Sequence, residues 1–344
     1  MSEAVLTEQL DQAIEAMLRK PEASMPAHDP RLAELLSIAA ELRDLPRADF
    51  KADLKNELER ATSMRSESDE REESNDESQP FAAPIRGQFR TVTPYLTVAD
   101  VHEEIEFITK VFGAEGRIFG LGSAGGYHSE YRIGDSMLMI GGGGEGAAWK
   151  GSPAPAALHV YVENVDDVYQ RAVSAGATVL MPPTDLDYGE RGAGIQDAGG
   201  NHWYIATSTG PNYIPEGLPN LMPFFNPRGA PKMIEFMKSA FGAEEVAIHQ
   251  SPDGIVHHAK IAIGNSIVEM GEAHGEWQPR PMHFMLYVDD VDEWYARAMK
   301  AEGAVSITKP GDQAYGERIG AVKDPFENTW YIGTHIGAKK QDEP

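Results

Sequence analysis

The groups in this sequence best suited to chemistry are histidines, tyrosines and arginines at recurring positions. His128 stands six residues before Gly134 and His258 six before Gly264, at matching places on stretches that read as strands. Imidazole titrates nearest neutrality, so a histidine facing a cavity can exchange a proton with a ligand. His258 is the candidate acid or base and His128 a candidate ligand contact; a hydrogen-bonded structural role is the competing reading. His159 and Tyr161 lie two apart in a strand over 158–162, and His202 and Tyr204 two apart in a later one. Strand alternation puts each pair on one face and Trp203 and Ile205 on the other. With Tyr331, the partner of Tyr204 in a second copy, these side chains read as polar walls of a ligand cavity, and Trp203 and Trp330 as core. Arg191 and Arg318 each follow Tyr-Gly-Glu. A guanidinium there can grip an anionic substrate with two parallel hydrogen bonds, or pair internally with Glu190, Glu317 or another acid.

The elements that must position these groups occur twice. Thr93-Pro-Tyr-Leu, Phe112-Gly-Ala-Glu, Val165-Asp-Asp, Tyr188-Gly-Glu-Arg and Asp197-x-x-x-Asn-x-Trp return in the same order as Met222-Pro-Phe-Phe, Phe241-Gly-Ala-Glu, Val291-Asp-Glu, Tyr315-Gly-Glu-Arg and Asp324-x-x-x-Asn-x-Trp. Recurrence at a fixed offset marks a duplicated domain. Each copy reads as strand, helix, three strands, then the same again, with helices expected over 101–112 and 166–175 in the first. The predicted organisation is a helical region over 1–62, an acidic linker over 63–86, a first domain over 87–209, a linker over 210–219, a second domain over 220–336 and a polar tail over 337–344. Leu10, Ile14 and Met17, then Leu32, Leu35 and Leu42, then Phe50, Leu54 and Leu58 give the N-terminal region three amphipathic helices. The linker is too polar to offset chain entropy by burial and should be a disordered tether.

Composition narrows the function. A formal net charge of -24 with no basic stripe argues against nucleic acid and anionic membrane as partners. Absence of cysteine removes disulfides, thiolate metal sites and cysteine nucleophiles. The N-terminus lacks a basic start and apolar run, which fits a cytoplasmic protein.

The motifs just quoted, together with the histidines before Ile-Gly-Asp-Ser and Ile-Gly-Asn-Ser, give residues 89–335 a resemblance to a known family. They resemble the vicinal-oxygen-chelate superfamily of glyoxalases, bleomycin-resistance proteins and extradiol dioxygenases, and within it the PhnB-like branch. The resemblance implies an α+β fold of two tandem glyoxalase-like domains, each of two βαβββ units forming a cup-shaped mixed sheet around a small ligand. It also implies metal-ligand positions on particular strands, where the second repeat keeps two suitable residues, Glu269 and His283. They are the expected ligands of one divalent ion (Zn, Fe, Ni or Mn) in the second domain. The repeats are expected to pair within the chain. Three functions stay open: a protein that binds, and converts, a small organic molecule in its cups; a metal-dependent lyase, isomerase or dioxygenase; and a non-catalytic interaction protein whose N-terminal helices recruit a protein partner.

Overall fold

The computed structural model describes residues 89–336 except 123, 276 and 314, all within a compact unit spanning Phe81–Pro344. The N-terminal helices, the acidic linker and the polar tail read from the sequence lie outside the described residues.

Four βαβββ units follow one another. The first comprises β1 (Val92–Val98), α1 (Val101–Phe112), β2 (Glu115–Leu121), β3 (Tyr127–Ile133) and β4 (Ser136–Gly142). The second comprises β5 (Ala157–Tyr161), α2 (Val165–Ser174), β6 (Thr178–Leu186), β7 (Glu190–Gln196) and β8 (His202–Ser208). The third comprises β9 (Leu221–Phe225), α3 (Ala230–Phe241), β10 (Glu244–Gln250), β11 (Val256–Ile263) and β12 (Ser266–Met270). The fourth comprises β13 (His283–Tyr287), α4 (Val291–Ala298), β14 (Val305–Asp312), β15 (Glu317–Lys323) and β16 (Thr329–His335).

Local chemistry sets the helix limits. Asp100 caps α1 by accepting hydrogen bonds from the backbone N–H groups of His102 and Glu103. Gly113, at φ 66, ends it in the left-handed region open to glycine, and Gly242 ends α3 in the same way at φ 68. The repeated Phe-Gly-Ala-Glu is therefore a helix stop. The N-terminus of α3 has no capping side chain of its own, and Glu272 supplies one from beyond β12 through bonds of 2.6 and 2.7 Å to Gly229 N and Ala230 N.

The strands form two eight-stranded mixed sheets, ordered β14-β15-β16-β13-β1-β4-β3-β2 and β10-β11-β12-β9-β5-β8-β7-β6. Each joins units from different repeats. The seams are antiparallel pairings of first strands: β1 with β13, where Tyr95 faces His283, and β5 with β9, where His159 faces Met222. Helices link the units the other way, within a repeat. Arg171 of α2 donates to Val111 O in α1, and Arg297 of α4 donates to Ala240 O in α3. One face of every inner strand enters a shared core with the helices, so Leu96, Leu158, Trp203, Phe284 and Trp330 are fully buried. The opposite faces form two concave surfaces.

Two reciprocal hooks hold the repeats together. In the turn between β11 and β12, Asn265 Oδ1 accepts from Thr91 N at 2.7 Å and Ser266 Oγ accepts from Val92 N at 2.8 Å. In the matching turn between β3 and β4, Asp135 Oδ1 accepts from Asn220 N at 2.9 Å and Ser136 Oγ from Leu221 N at 3.2 Å. The repeated Ile-Gly-Asp/Asn-Ser is thus a clasp on the start of the other repeat. A Cβ on Gly264 would lie 2.2 Å from Thr91 Oγ1, and one on Gly134 2.2 Å from Asn220.

Gly264→Ala should therefore cost more stability than Gly113→Ala, whose Cβ would meet nothing within 4 Å at a similar φ of 66. The Gly113 change should cost only the left-handed backbone penalty, about 1–2 kcal/mol. Urea denaturation of the two variants compares them; equal losses would show that the hook tolerates the added atom.

Candidate ligand-binding cup

The concave face of the sheet running from β10 to β6 encloses a cavity of about 650 Å³, within the usual range for small-molecule sites. Strand parity selects what faces it. On β5, Leu158 and Val160 enter the core while His159 and Tyr161 face the cup; on β8, Trp203 and Ile205 enter the core while Tyr204 lines the cavity. From the other repeat, β9 contributes Phe224, β11 His258 and Lys260, and β12 Glu269.

A connected polar cluster forms the floor. Glu269 is fully buried, and its Oε2 accepts from His159 Nδ1 at 2.6 Å. His159 Nε2 lies 3.9 Å from Glu190 Oε2, and Glu190 Oε1 accepts from the Tyr161 hydroxyl at 2.5 Å. The second oxygen of Glu269 lies 3.5 Å from Lys260 Nζ and 3.7 Å from His258 Nε2. Burial alone would lower the pKa of His159, but the Glu269 carboxylate outweighs it and raises the pKa. Burial would likewise raise that of Glu269, but His159 holds it well below the usual carboxylate range. The two form a buried ion pair at neutral pH.

Aromatic side chains form one wall. Tyr204 meets Phe224 edge-on with ring centroids 5.0 Å apart and Trp277 at 5.3 Å, and Phe224 lies 6.1 Å from His258. Tyr188 stands at the opening, where burial and then Glu190 push its hydroxyl up to about 12. His202 accepts from Arg280 at 2.5 Å, and burial followed by that guanidinium lowers it to about 4, so it is neutral.

The other sheet carries the same positions with different chemistry. Where one cup has His159 and Glu269, the other has Met285 and Met139, buried in an apolar cluster with Phe89 and Tyr287. Where one has Lys260 the other has Glu130, and where one has Phe224 the other has Tyr95. His128 sits there between the Tyr95 hydroxyl at 3.2 Å and Glu130 at 3.4 Å, and Tyr331 packs near Tyr95 and His283.

Several residues singled out in the sequence thus come together: His159, Tyr204, His258 and Glu269 line one cup, and Tyr161 is buried behind Glu190. Two expectations need correction. Glu269 and His283 do not form a metal pair, because β12 and β13 belong to different sheets; His283 Nδ1 instead bonds Thr97 Oγ1 at 2.8 Å. Cross-repeat pairing of the first strands separates them. Arg191 and Arg318 do not reach a cup either. Arg191 pairs with Asp166 and Asp185, and Arg318 with Asp292 and Asp312, on strand faces opposite Glu190 and Glu317. Glu190, read from the sequence only as a partner for Arg191, also lines the cavity, as do Phe224, read only as part of the repeated Met222-Pro-Phe-Phe, and Lys260 and Trp277, which no repeated motif marks; the exchange of Met139 and Met285 for Glu269 and His159 marks only the floor.

A divalent ion does not fit the donors present. Among the described residues no group of three or more histidines, aspartates and glutamates is placed to hold a metal. Glu269 and His159 already bond each other, and the apolar Phe224 faces the same cavity.

Comparison with known proteins agrees with this architecture. Residues 88–205 and 225–332 match the family described as the Glyoxalase/Bleomycin resistance protein/Dioxygenase superfamily. An uncharacterised protein of Mycobacterium bovis is 32% identical over 136 residues, covering 36% of this chain and 89% of that protein. Glyoxalase I from Zea mays superposes with a TM-score of 0.57 at 14% identity, covering 71% of this chain and 92% of that one; a mutant form of the same maize enzyme gives 0.56 with the same coverage. At this identity the likeness concerns the fold. Among the described residues no helix is long and apolar enough to cross a membrane.

The ion pair makes a pH-dependent contribution with a definite sign. The raised pKa of His159 means its share of stability is fully present below the ordinary value of 6.5 and is lost as pH rises through the raised value. The depressed pKa of Glu269 means its share is present above the ordinary 4.5 and is lost as pH falls through the lowered value. Glu269→Gln should bring the NMR titration midpoint of His159 down, since burial persists and the carboxylate does not. An unmoved midpoint would mean the two do not interact in solution.

Proposed function

Because the chain belongs to the Glyoxalase/Bleomycin resistance protein/Dioxygenase superfamily, we propose that it binds one small organic molecule per chain, in the cup formed by β5–β12. The observation carrying this reading is the asymmetry between the cups. One holds a cavity of about 650 Å³ over a buried His159–Glu269 pair; the other has methionines at both positions within an apolar cluster and only a smaller cavity of about 360 Å³, at its β2–β4 end beside Glu130 and Met137. An ion pair taken out of water is costly to keep where the equivalent positions of the other cup carry two methionines, which supports a role in ligand recognition. His159, Tyr204, His258 and Lys260 are the proposed contacts, with Tyr161 holding Glu190 behind them and His258 the group best placed to exchange a proton. Sequestration, as in bleomycin-resistance proteins, accords with this site better than metal-dependent lyase, isomerase or dioxygenase chemistry, whose ion the donors do not fit.

Methionine methyl groups distinguish the cups. Met181 lines the proposed site, while Met139 and Met285 lie in the other. Methyl-labelled protein titrated with a panel of small aromatic compounds should show shifts at Met181, and native mass spectrometry should give one bound molecule per chain. Shifts confined to Met139 and Met285 would place binding in the wrong cup and overturn the reading.

A further inference from the structure

The character of the ligand follows from what the cup leaves unpaired. Among the described residues, two side chains that line this cavity each carry a buried polar atom without a hydrogen-bond partner: Glu269 Oε1 and the Tyr204 hydroxyl. Leaving such an atom unpaired is expensive, and more so for a charged group. Lys260 Nζ and His258 Nε2 approach Glu269 Oε1 only to 3.5 and 3.7 Å, beyond good hydrogen-bonding distance. A carboxylate oxygen accepts and cannot donate, so the group that completes it must be a donor.

Charge decides what kind of donor. The floor groups are Glu269 and Glu190 on one side, His159 and Lys260 on the other. His258 Nε2 lies 3.7 Å from Glu269 Oε1, and with His159 protonated and His258 neutral the four charges cancel. A cationic ligand would add an uncompensated buried charge, as would an anionic one, whereas a neutral hydroxyl adds none. Shape decides the body. The wall beside the floor is Tyr204, Phe224 and Trp277, meeting edge to face, which suits a flat ring.

Resting on the binding role proposed above, we infer that the ligand is a neutral aromatic molecule bearing a hydroxyl group, which donates to Glu269 Oε1 while its ring packs against Tyr204, Phe224 and Trp277. Tyr204 is then free to donate to a second polar atom on the ligand.

Four probes sharing one ring system separate the terms: 2-naphthol, 2-methoxynaphthalene, 2-naphthoate and 2-naphthylmethylammonium. Binding to the full-length chain is read by calorimetry at neutral pH. 2-Naphthol should bind most tightly, about tenfold or more better than its methyl ether, the worth of a hydrogen bond to a charged acceptor. The double variant Glu269→Met, His159→Met installs the pair that the other cup carries at the equivalent positions, so the fold should accommodate it; circular dichroism checks this. In that variant the preference should vanish while the methyl ether still binds. Tyr204→Phe, a second and milder variant, should retain the preference over the ether. Equal binding of all four probes, tightest binding of naphthoate or the ammonium, or a preference surviving in the double variant would each overturn the inference and leave the cup as a binding site. Failure of all four to bind would overturn it too, and if Met181 methyl shifts were also absent the binding role would fall with it.

Discussion

The structure depends on antiparallel pairing between the first strands of units from different repeats, β1 with β13 and β5 with β9. An antiparallel ladder relates its two strands by a local twofold, so each pairing places two βαβββ units back to back around an axis and closes one cup between them. Because the two seams join opposite halves of the repeats, neither repeat owns a cup. The helices and the hooks at Asn265 and Asp135 run across this arrangement and bind the sheets into one core. Separating the repeats would therefore break both sheets at their centres.

Duplication has left two versions of one site in the same molecule. At equivalent positions one cup holds Met139 and Met285, the other Glu269 and His159. The apolar pair contributes by burial and packing alone. The charged pair must recover the desolvation of both groups, which the 2.6 Å contact does in part and the neighbouring Lys260 and Glu190 extend. The cup with methionines shows that the fold has no need of the charged version, which is why the charged pair supports the binding role proposed above. The same contrast explains why His258 and His128, matched in sequence, differ in surroundings: His258 stands beside a buried carboxylate and a lysine, His128 between a tyrosine and Glu130.

The motifs that recur most faithfully do structural work. Asp197 accepts from Trp203 Nε1 at 2.6 Å and from Asn201, and Asp324 does the same for Trp330 at 2.8 Å and Asn328. Each aspartate satisfies an indole N–H that would otherwise be buried unpaired, which allows a tryptophan to sit fully inside the core. Arg191 on β7 and Arg318 on β15 pin those strands to aspartates at the N-terminal ends of α2 and α4, where a carboxylate also favours the helix dipole. Glu190 and Glu317, from the same motif, turn inward to bond Tyr161 and Tyr287. Repetition marked what both halves need to fold; the proposed binding chemistry lies where they differ.

Much of this was legible in the sequence. The duplication, the βαβββ order, the bounds of α1 and the inward placing of Trp203 and Trp330 follow from period, capping chemistry and strand parity, all local properties. Parity also put His159 with Tyr161 and His202 with Tyr204 on shared faces. Which strands would be neighbours was decided only in three dimensions, because the hydrogen-bonding edges of β1, β5, β9 and β13 are alike and sequence order favours none of the possible pairings. That choice moved His283 away from Glu269 and brought His159, from the other repeat, to within 2.6 Å of it. The residue types at the site could be read along the chain, but their partners could not, since a contact between residues 110 positions apart exists only once the sheet has closed.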